Sequence, residues 1–265
     1  MRSQKIKALS IALLFTACST VPISNRKQMN LLPESQMVSM SLTSYQDFLK
    51  QHPPVTGTPE AQMVKNIGAK IQSAVVNYLG QHKMGDRVAG YKWEYNLVNS
   101  PEVNAWCMPG GKVVVYSGIL PLTQDEASLA IVMGHEIAHA VARHGNERMS
   151  QMLMQQAGGM ALDVALSTKS AETKNMFMTA YGAGSTLGIL KYSRTHETEA
   201  DKLGLIFAAM AGYDPQKAVA FWQRMGQQGG AKPPEFLSTH PSDATRIKDL
   251  QSFMPTALKY YKGKK

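Results

Sequence analysis

Cysteine is almost missing from this 265-residue chain, which has only Cys18 and Cys107. So small a number excludes a disulfide-stapled fold, and Cys107, between Trp106 and Met108, reads as a buried small hydrophobe. Long apolar runs are missing too. The longest uncharged stretch in the interior, residues 175–190, has 16 residues and is broken by glycines, too short for the roughly 20 residues of a membrane-spanning helix. No basic helix or basic-aromatic strand accompanies the formal charge of +9, so nucleic-acid binding is excluded and the surplus lysines and arginines read as solvated surface. With 44% apolar and 18% charged residues, what remains is ordinary globular composition with enough apolar side chains for a sizeable core.

Residues 1–17 read as an export signal. Arg2, Lys5 and Lys7 precede an uncharged, mostly apolar stretch over residues 8–17 that is too short to span a bilayer. Leu14-Phe15-Thr16-Ala17-Cys18 resembles the lipobox of bacterial lipoproteins, which implies cleavage before Cys18 and its lipidation. Phe15 departs from the aliphatic residue usual there, so an ordinary signal peptide stays open. By the same resemblance, Ser19 implies sorting to the outer membrane, with the protein on the periplasmic side of the cell envelope. Residues 18–32 then read as a lipidated tether and residues 33–265 as one domain.

Within that domain the spacing predicts helices over residues 34–50 and 58–80, the first stopped by Pro53-Pro54 and the second by Gly80. Alternation predicts a strand over residues 91–98. Asn104-Ala105-Trp106-Cys107-Met108 and Lys112-Val113-Val114-Val115-Tyr116, joined through Pro109-Gly110-Gly111, read as a hairpin. Residues 146–190 are rich in Met and Gly; core packing is the first reading, and an adaptable lid the second.

The chemistry centres on His135-Glu136-Ile137-Ala138-His139. Residues four apart on a helix point the same way within about 40°, so the two imidazoles can grip one metal ion, and the adjacent Glu136 can act as a base without being a ligand. The motif also arises by chance, so its setting matters. Its helix is apolar over most of its surface, and burying His, Glu and His there without a metal carries a large desolvation cost. Thr123-Gln124-Asp125-Glu126 reads as its capping box and Gly145 as its stop, giving about 21 residues. His144, about 140° round from His139, reads as a cap or network residue rather than a ligand. A third ligand is available in Glu197, with Asp201 on the same face at i+4, placed to accept a hydrogen bond from a ligand imidazole. A charged first helical turn would equally account for acids there.

Asn104-Ala105 with Pro109-Gly110-Gly111, His135-Glu136-x-x-His139, and Glu197-x-Glu199-Ala200-Asp201 together resemble metallopeptidase family forty-eight, the HtpX and CAAX-prenyl endopeptidase group. The likeness is greatest to its soluble bacterial lipoproteins and to the peptidase domain of the mitochondrial inner-membrane stress protease. The resemblance implies a mostly helical, zincin-like α+β domain with a small β-sheet bordering the cleft, and one Zn2+ per chain held by His135, His139 and Glu197. It implies Glu136 as general base and Asp201 as the partner of a ligand. His240, before Pro241, and Arg246 match a late motif in which the histidine lies near the metal, as a catalytic group or as a cover, and the arginine supports the site. Asn104 and Ala105 would border bound substrate. The expected partners are protein or peptide substrates and, through lipid, a membrane. The other reading is a latent zinc-containing chaperone or assembly factor whose activity His240 shuts off.

Overall fold

The computed structural model describes residues 18–156, 171–181, 193–228, 235–240 and 244–263. In chain order the elements are β1 (Cys18–Thr20), β2 (Lys27–Met29), α1 (Glu34–Gln51), α2 (Pro59–Gln81), β3 (Glu94–Val98), β4 (Ala105–Met108) and β5 (Lys112–Tyr116). They continue as α3 (Leu120–Thr123), α4 (Glu126–Ala142), α5 (His144–Gln156), α6 (Ala171–Ala180), α7 (Arg194–Met210), α8 (Lys217–Gln227), α9 (Glu235–Thr239) and α10 (Ala244–Leu258). The export-signal residues, part of the Met- and Gly-rich stretch, and Pro241 lie outside the described residues.

Helix α4 carries the His-Glu-x-x-His motif and is buried at every residue from position 128 to 142, so it needs neighbours on all sides. Its ends differ from the sequence expectation. Asp125 is the N-cap, its carboxylate accepting the Ser128 N–H at 2.7 Å, while Thr123 closes the preceding short helix α3. The helix ends where Arg143 turns left-handed at φ 63°, and Gly145 lies inside α5. A residue other than glycine thus makes the stop, and His144 opens the next helix. Helix α2 starts on Thr58, whose side chain accepts the Ala61 N–H, and runs through Gly80 to Gln81.

The three-stranded sheet has the order β3-β5-β4, with β3 parallel and β4 antiparallel to β5. Gly110 and Gly111 both take positive φ in the β4–β5 turn, and a Cβ on Gly111 would strike the Trp93 ring. The sheet separates two cores, which explains why β4 and β5 are buried without a polar face. Ala105, Cys107, Val113 and Val115 pack with α2, α4 and α7; Trp106, Met108, Val114 and Tyr116 pack with α1, α5 and α6. Met149 and Met176 join the second core, the first reading for that stretch, whereas Met154 is exposed. Cys107 is a free, buried cysteine.

Helices α4 and α7 cross at Gly134 and Gly204. A Cβ on Gly134 would come within 2.9 Å of the Gly204 carbonyl oxygen, and one on Gly204 within 2.8 Å of the His135 nitrogen. Backbone contact at this crossing brings the first turn of α7 to the histidines of α4.

The stretch expected as a tether is folded. β1 and β2 pair as an antiparallel hairpin, Val21 and Leu32 are buried, and the segment docks on the end of α4. The orphan carbonyls of that helix end are satisfied there: Ala142 O accepts from Gln28 Nε2 and Val141 O from Arg87 Nη1, each at 2.8 Å. Among the described residues no helix is long and apolar enough to cross a membrane.

Candidate metal centre

Four donor-bearing side chains converge where α4, α7 and the end of α9 meet. His135 and His139 come from one face of α4. Glu197 comes from the first turn of α7, whose N-cap Ser193 accepts the His196 N–H, and His240 follows α9. One donor atom from each lies within 4.8 Å of all the others, and all four residues are buried. His135 Nε2 is 3.0 Å from His139 Nε2 and 3.4 Å from Glu197 Oε2, and His139 Nε2 is 3.2 Å from Glu197 Oε1. Ligands bound at about 2.05 Å in a tetrahedron stand roughly 3.3 Å apart, so separations of this size suit donors gathered around one ion, with Glu197 turning a different oxygen to each histidine. His240 Nδ1 takes a fourth place, 3.1 Å from His135 Nε2 and 3.0 Å from Glu197 Oε1.

Electrostatics favour positive charge on the His135 side of the centre, whereas burial holds His139 well below the usual imidazole range. Burial lowers the His135 pKa, but the Glu197 and Asp201 carboxylates outweigh it and push the value up to about 9. Burial also opposes ionisation of Glu197, and His240, Arg246 and His135 nonetheless hold it well below the usual carboxylate range. A proton or a divalent cation would each supply the charge that this donor set calls for. Glu136 differs. Burial is the largest influence on it and raises its pKa, and its Oε1 has no hydrogen-bond partner among the described residues, with His240 Nε2 3.6 Å away. An orphaned buried carboxylate oxygen beside a donor cluster has room in its chemistry for a water or a substrate proton.

Asp201 Oδ1 stands 2.9 Å from His135 Nδ1, and Arg246 donates to Glu197 Oε2 at 2.8 Å and to Asp201 Oδ1 at 2.7 Å. The structure therefore brings together His135, Glu136, His139, Glu197, Asp201, His240 and Arg246. It does not bring Asn104 or Ala105 into the cluster. Asn104 is buried, its Oδ1 accepting the Ala105 N–H at 2.9 Å and its carbonyl the Tyr116 N–H at 3.1 Å. In the antiparallel alternation that follows, Ala105 and Cys107 turn their backbone groups away from β5, to the outer side of β4.

Sequence reading missed the platform beneath Arg246. Its guanidinium lies 3.3 Å from the Trp222 ring centroid, and that ring stacks on Phe236 and meets His135 edge-on. A tryptophan in an amphipathic helix carries no sign of such a contact. Also missed was a polar cluster behind His139, made by His144, His196, Glu147, Glu199 and Arg26. His144 reads correctly as a network residue, but nothing in the spacing connects it to Arg26.

Comparison with known proteins gives the same direction. The model of Peptidase family M48 matches residues 69–254. The mitochondrial metalloendopeptidase OMA1 of Schizosaccharomyces pombe is 31% identical over 247 residues, 92% of this chain and 68% of the relative. The Saccharomyces cerevisiae OMA1 is 30% identical over 270 residues, 95% and 75% of the two chains. The beta-barrel assembly-enhancing protease of Yersinia pestis is 31% identical over 165 residues, 60% of this chain and 34% of that one. A mostly helical zincin-like fold, a His-Glu-x-x-His cluster fit for a metal and these matches place the chain in peptidase family M48, as a metalloendopeptidase.

Proposed function

We propose that the chain is a zinc-dependent endopeptidase of the bacterial cell envelope that hydrolyses peptide bonds in misfolded or envelope proteins. The observation that carries this reading is the convergence of buried His135, His139 and Glu197 donors beside a buried Glu136 oxygen that has no hydrogen bond among the described residues. His135, His139 and Glu197 would hold one zinc ion, and bound zinc supplies Lewis-acid polarisation and lowers the pKa of water. Glu136 takes the proton of the attacking water and returns it to the leaving amine, a role suited to a carboxyl that burial has made more basic. Asp201 orients His135, and Arg246, seated on Trp222, neutralises Glu197 and Asp201 together. By the family resemblance, Asn104 and Ala105 would border an extended substrate along the outer side of β4, a strand whose residues are buried in this structure, so pairing there would require that edge to be uncovered.

Lipidation at Cys18 would hold the domain at the periplasmic face of the outer membrane. The lipobox resemblance supports it, and the name of the Yersinia pestis relative agrees with an envelope role. Glu136→Gln should keep stoichiometric zinc while peptide hydrolysis falls at least a hundredfold, measured by metal analysis and cleavage of an unfolded substrate. Undiminished cleavage would remove Glu136 from the base role.

A second reading, a latent chaperone or assembly factor, draws support from His240 Nδ1 sitting in the fourth donor place. His240→Ala separates the two on the same assay: a gain in cleavage marks His240 as a cover, and a loss marks it as a direct participant.

A further inference from the structure

His135 and His139, if they bind metal through Nε2, are steadied at Nδ1 by different means. His135 meets the Asp201 carboxylate directly at 2.9 Å, whereas His139 meets another imidazole, its Nδ1 3.0 Å from His144 Nδ1. The polarity of that contact is fixed by chemistry. An imidazole bound through Nε2 keeps its proton on Nδ1, so His139 donates and His144 Nδ1 accepts. The His144 proton then sits on Nε2, which faces Glu199 Oε2 at 3.1 Å. Glu199 also accepts from Ser24 Oγ and, at 3.0 Å each, from Arg26 Nε and Nη2. The same guanidinium reaches Glu147 at 2.7 and 2.8 Å; Glu147 pairs with His196 Nε2 at 3.0 Å, and the His196 ring stacks on His144. Every link from the metal cluster to the hairpin has a partner on both sides.

We propose that His144 and Glu199, clamped by Arg26 of the β1–β2 hairpin, are positioning residues for His139, so that the segment directly after Cys18 sets metal affinity. This rests on the reading of His135, His139 and Glu197 as zinc ligands. Arg26 lies outside residues 69–254, which the family model matches.

The test uses the full chain, with the zinc dissociation constant from chelator competition and the absorption bands of the Co2+-loaded protein as readouts. His144→Phe, which keeps a ring but removes the acceptor, should weaken zinc binding by about tenfold to a hundredfold and change the Co2+ bands. Arg26→Gln should weaken it by about tenfold, with partial recovery in Arg26→Lys. Combining Arg26→Gln with His144→Phe should add no further loss, because one relay cannot be broken twice. Unchanged affinity and spectrum in folded His144→Phe, or losses that multiply in the double variant, would overturn the proposal. Should His144→Phe fail to fold, Glu199→Gln replaces it in the same cycle, with the same expected and overturning results. A wild-type chain that takes up no zinc, or a His139→Ala chain that keeps it, overturns the ligand reading and the proposal with it.

Discussion

Each side of the His135–His139 pair is backed by carboxylates under one arginine, but the two arginines stand in unlike surroundings. Arg246 grips Glu197 and Asp201 where all three are buried, on a tryptophan platform, one step from the cluster. Arg26 grips Glu147 and Glu199 from a surface hairpin, with 28% of its side chain exposed and an imidazole between its carboxylate and His139. The carboxylates are buried on both sides, but where the arginine is buried too its charge has no substitute, whereas solvent can take part of the place of a partly exposed guanidinium. The Arg246 side therefore decides whether the centre forms at all, and the Arg26 side adjusts how well it is aligned.

The largest expected effect follows from removing the buried arginine. Arg246→Met leaves two buried carboxylates without their cation and should cost about 3–5 kcal/mol in stability, with loss of bound metal. Denaturant unfolding and metal analysis measure both, and a variant within 1 kcal/mol of wild type that keeps its metal would erase the contrast. Next comes the seam that both sides share. Gly204→Ala drives a methyl against the backbone of His135 and should destabilise the domain by about 1–3 kcal/mol while moving Glu197 off the histidines. Thermal unfolding with metal content reads both effects; normal stability together with full metal occupancy would show that the crossing tolerates a wider spacing.

How much of this could be read beforehand divides along the same line. The α4 pincer, Glu197 and Asp201 lie on helices with spacings of four, and helical periodicity places such residues on one face whatever the rest of the chain does. The sheet hairpin was legible because Pro109-Gly110-Gly111 separates two β-rich runs. Arg143 in place of Gly145 was not, because a left-handed stop at a residue other than glycine depends on what surrounds it. Nor was the hairpin carrying Arg26. Residues 20–32 read as a tether because they mix Pro, Ser, Asn, Arg and Lys with few apolar residues, yet they fold, with Gln28 satisfying the Ala142 carbonyl at the end of α4 and Arg26 supplying a guanidinium to two carboxylates over a hundred residues away. Local sequence says nothing about a partner at that distance. Trp222 was missed for the same reason: its value lies in the Arg246 plane above it.

The smallest effect bears on the exposed side and is read through acid. Burial opposes ionisation of Glu147, but hydrogen bonds from Arg26 and His196 bring its pKa down to about 2. A carboxylate whose pKa is depressed in the folded protein contributes stability above its unfolded value, about 4.3, and that contribution fades as pH falls toward 2 because the unfolded chain binds the proton first. Wild type should therefore lose thermal stability steadily between about pH 4.5 and 2. In Arg26→Gln the carboxylate titrates nearer its ordinary value, so the variant should begin less stable at pH 7 and lose less across that interval. Because the Arg26 guanidinium is partly exposed, so that water can take part of its place, the change should be only a few degrees in melting temperature. Parallel curves for the two proteins would mean that water, not Arg26, keeps Glu147 charged, and the hairpin would then be a passive cover over the helix end rather than part of the centre's support.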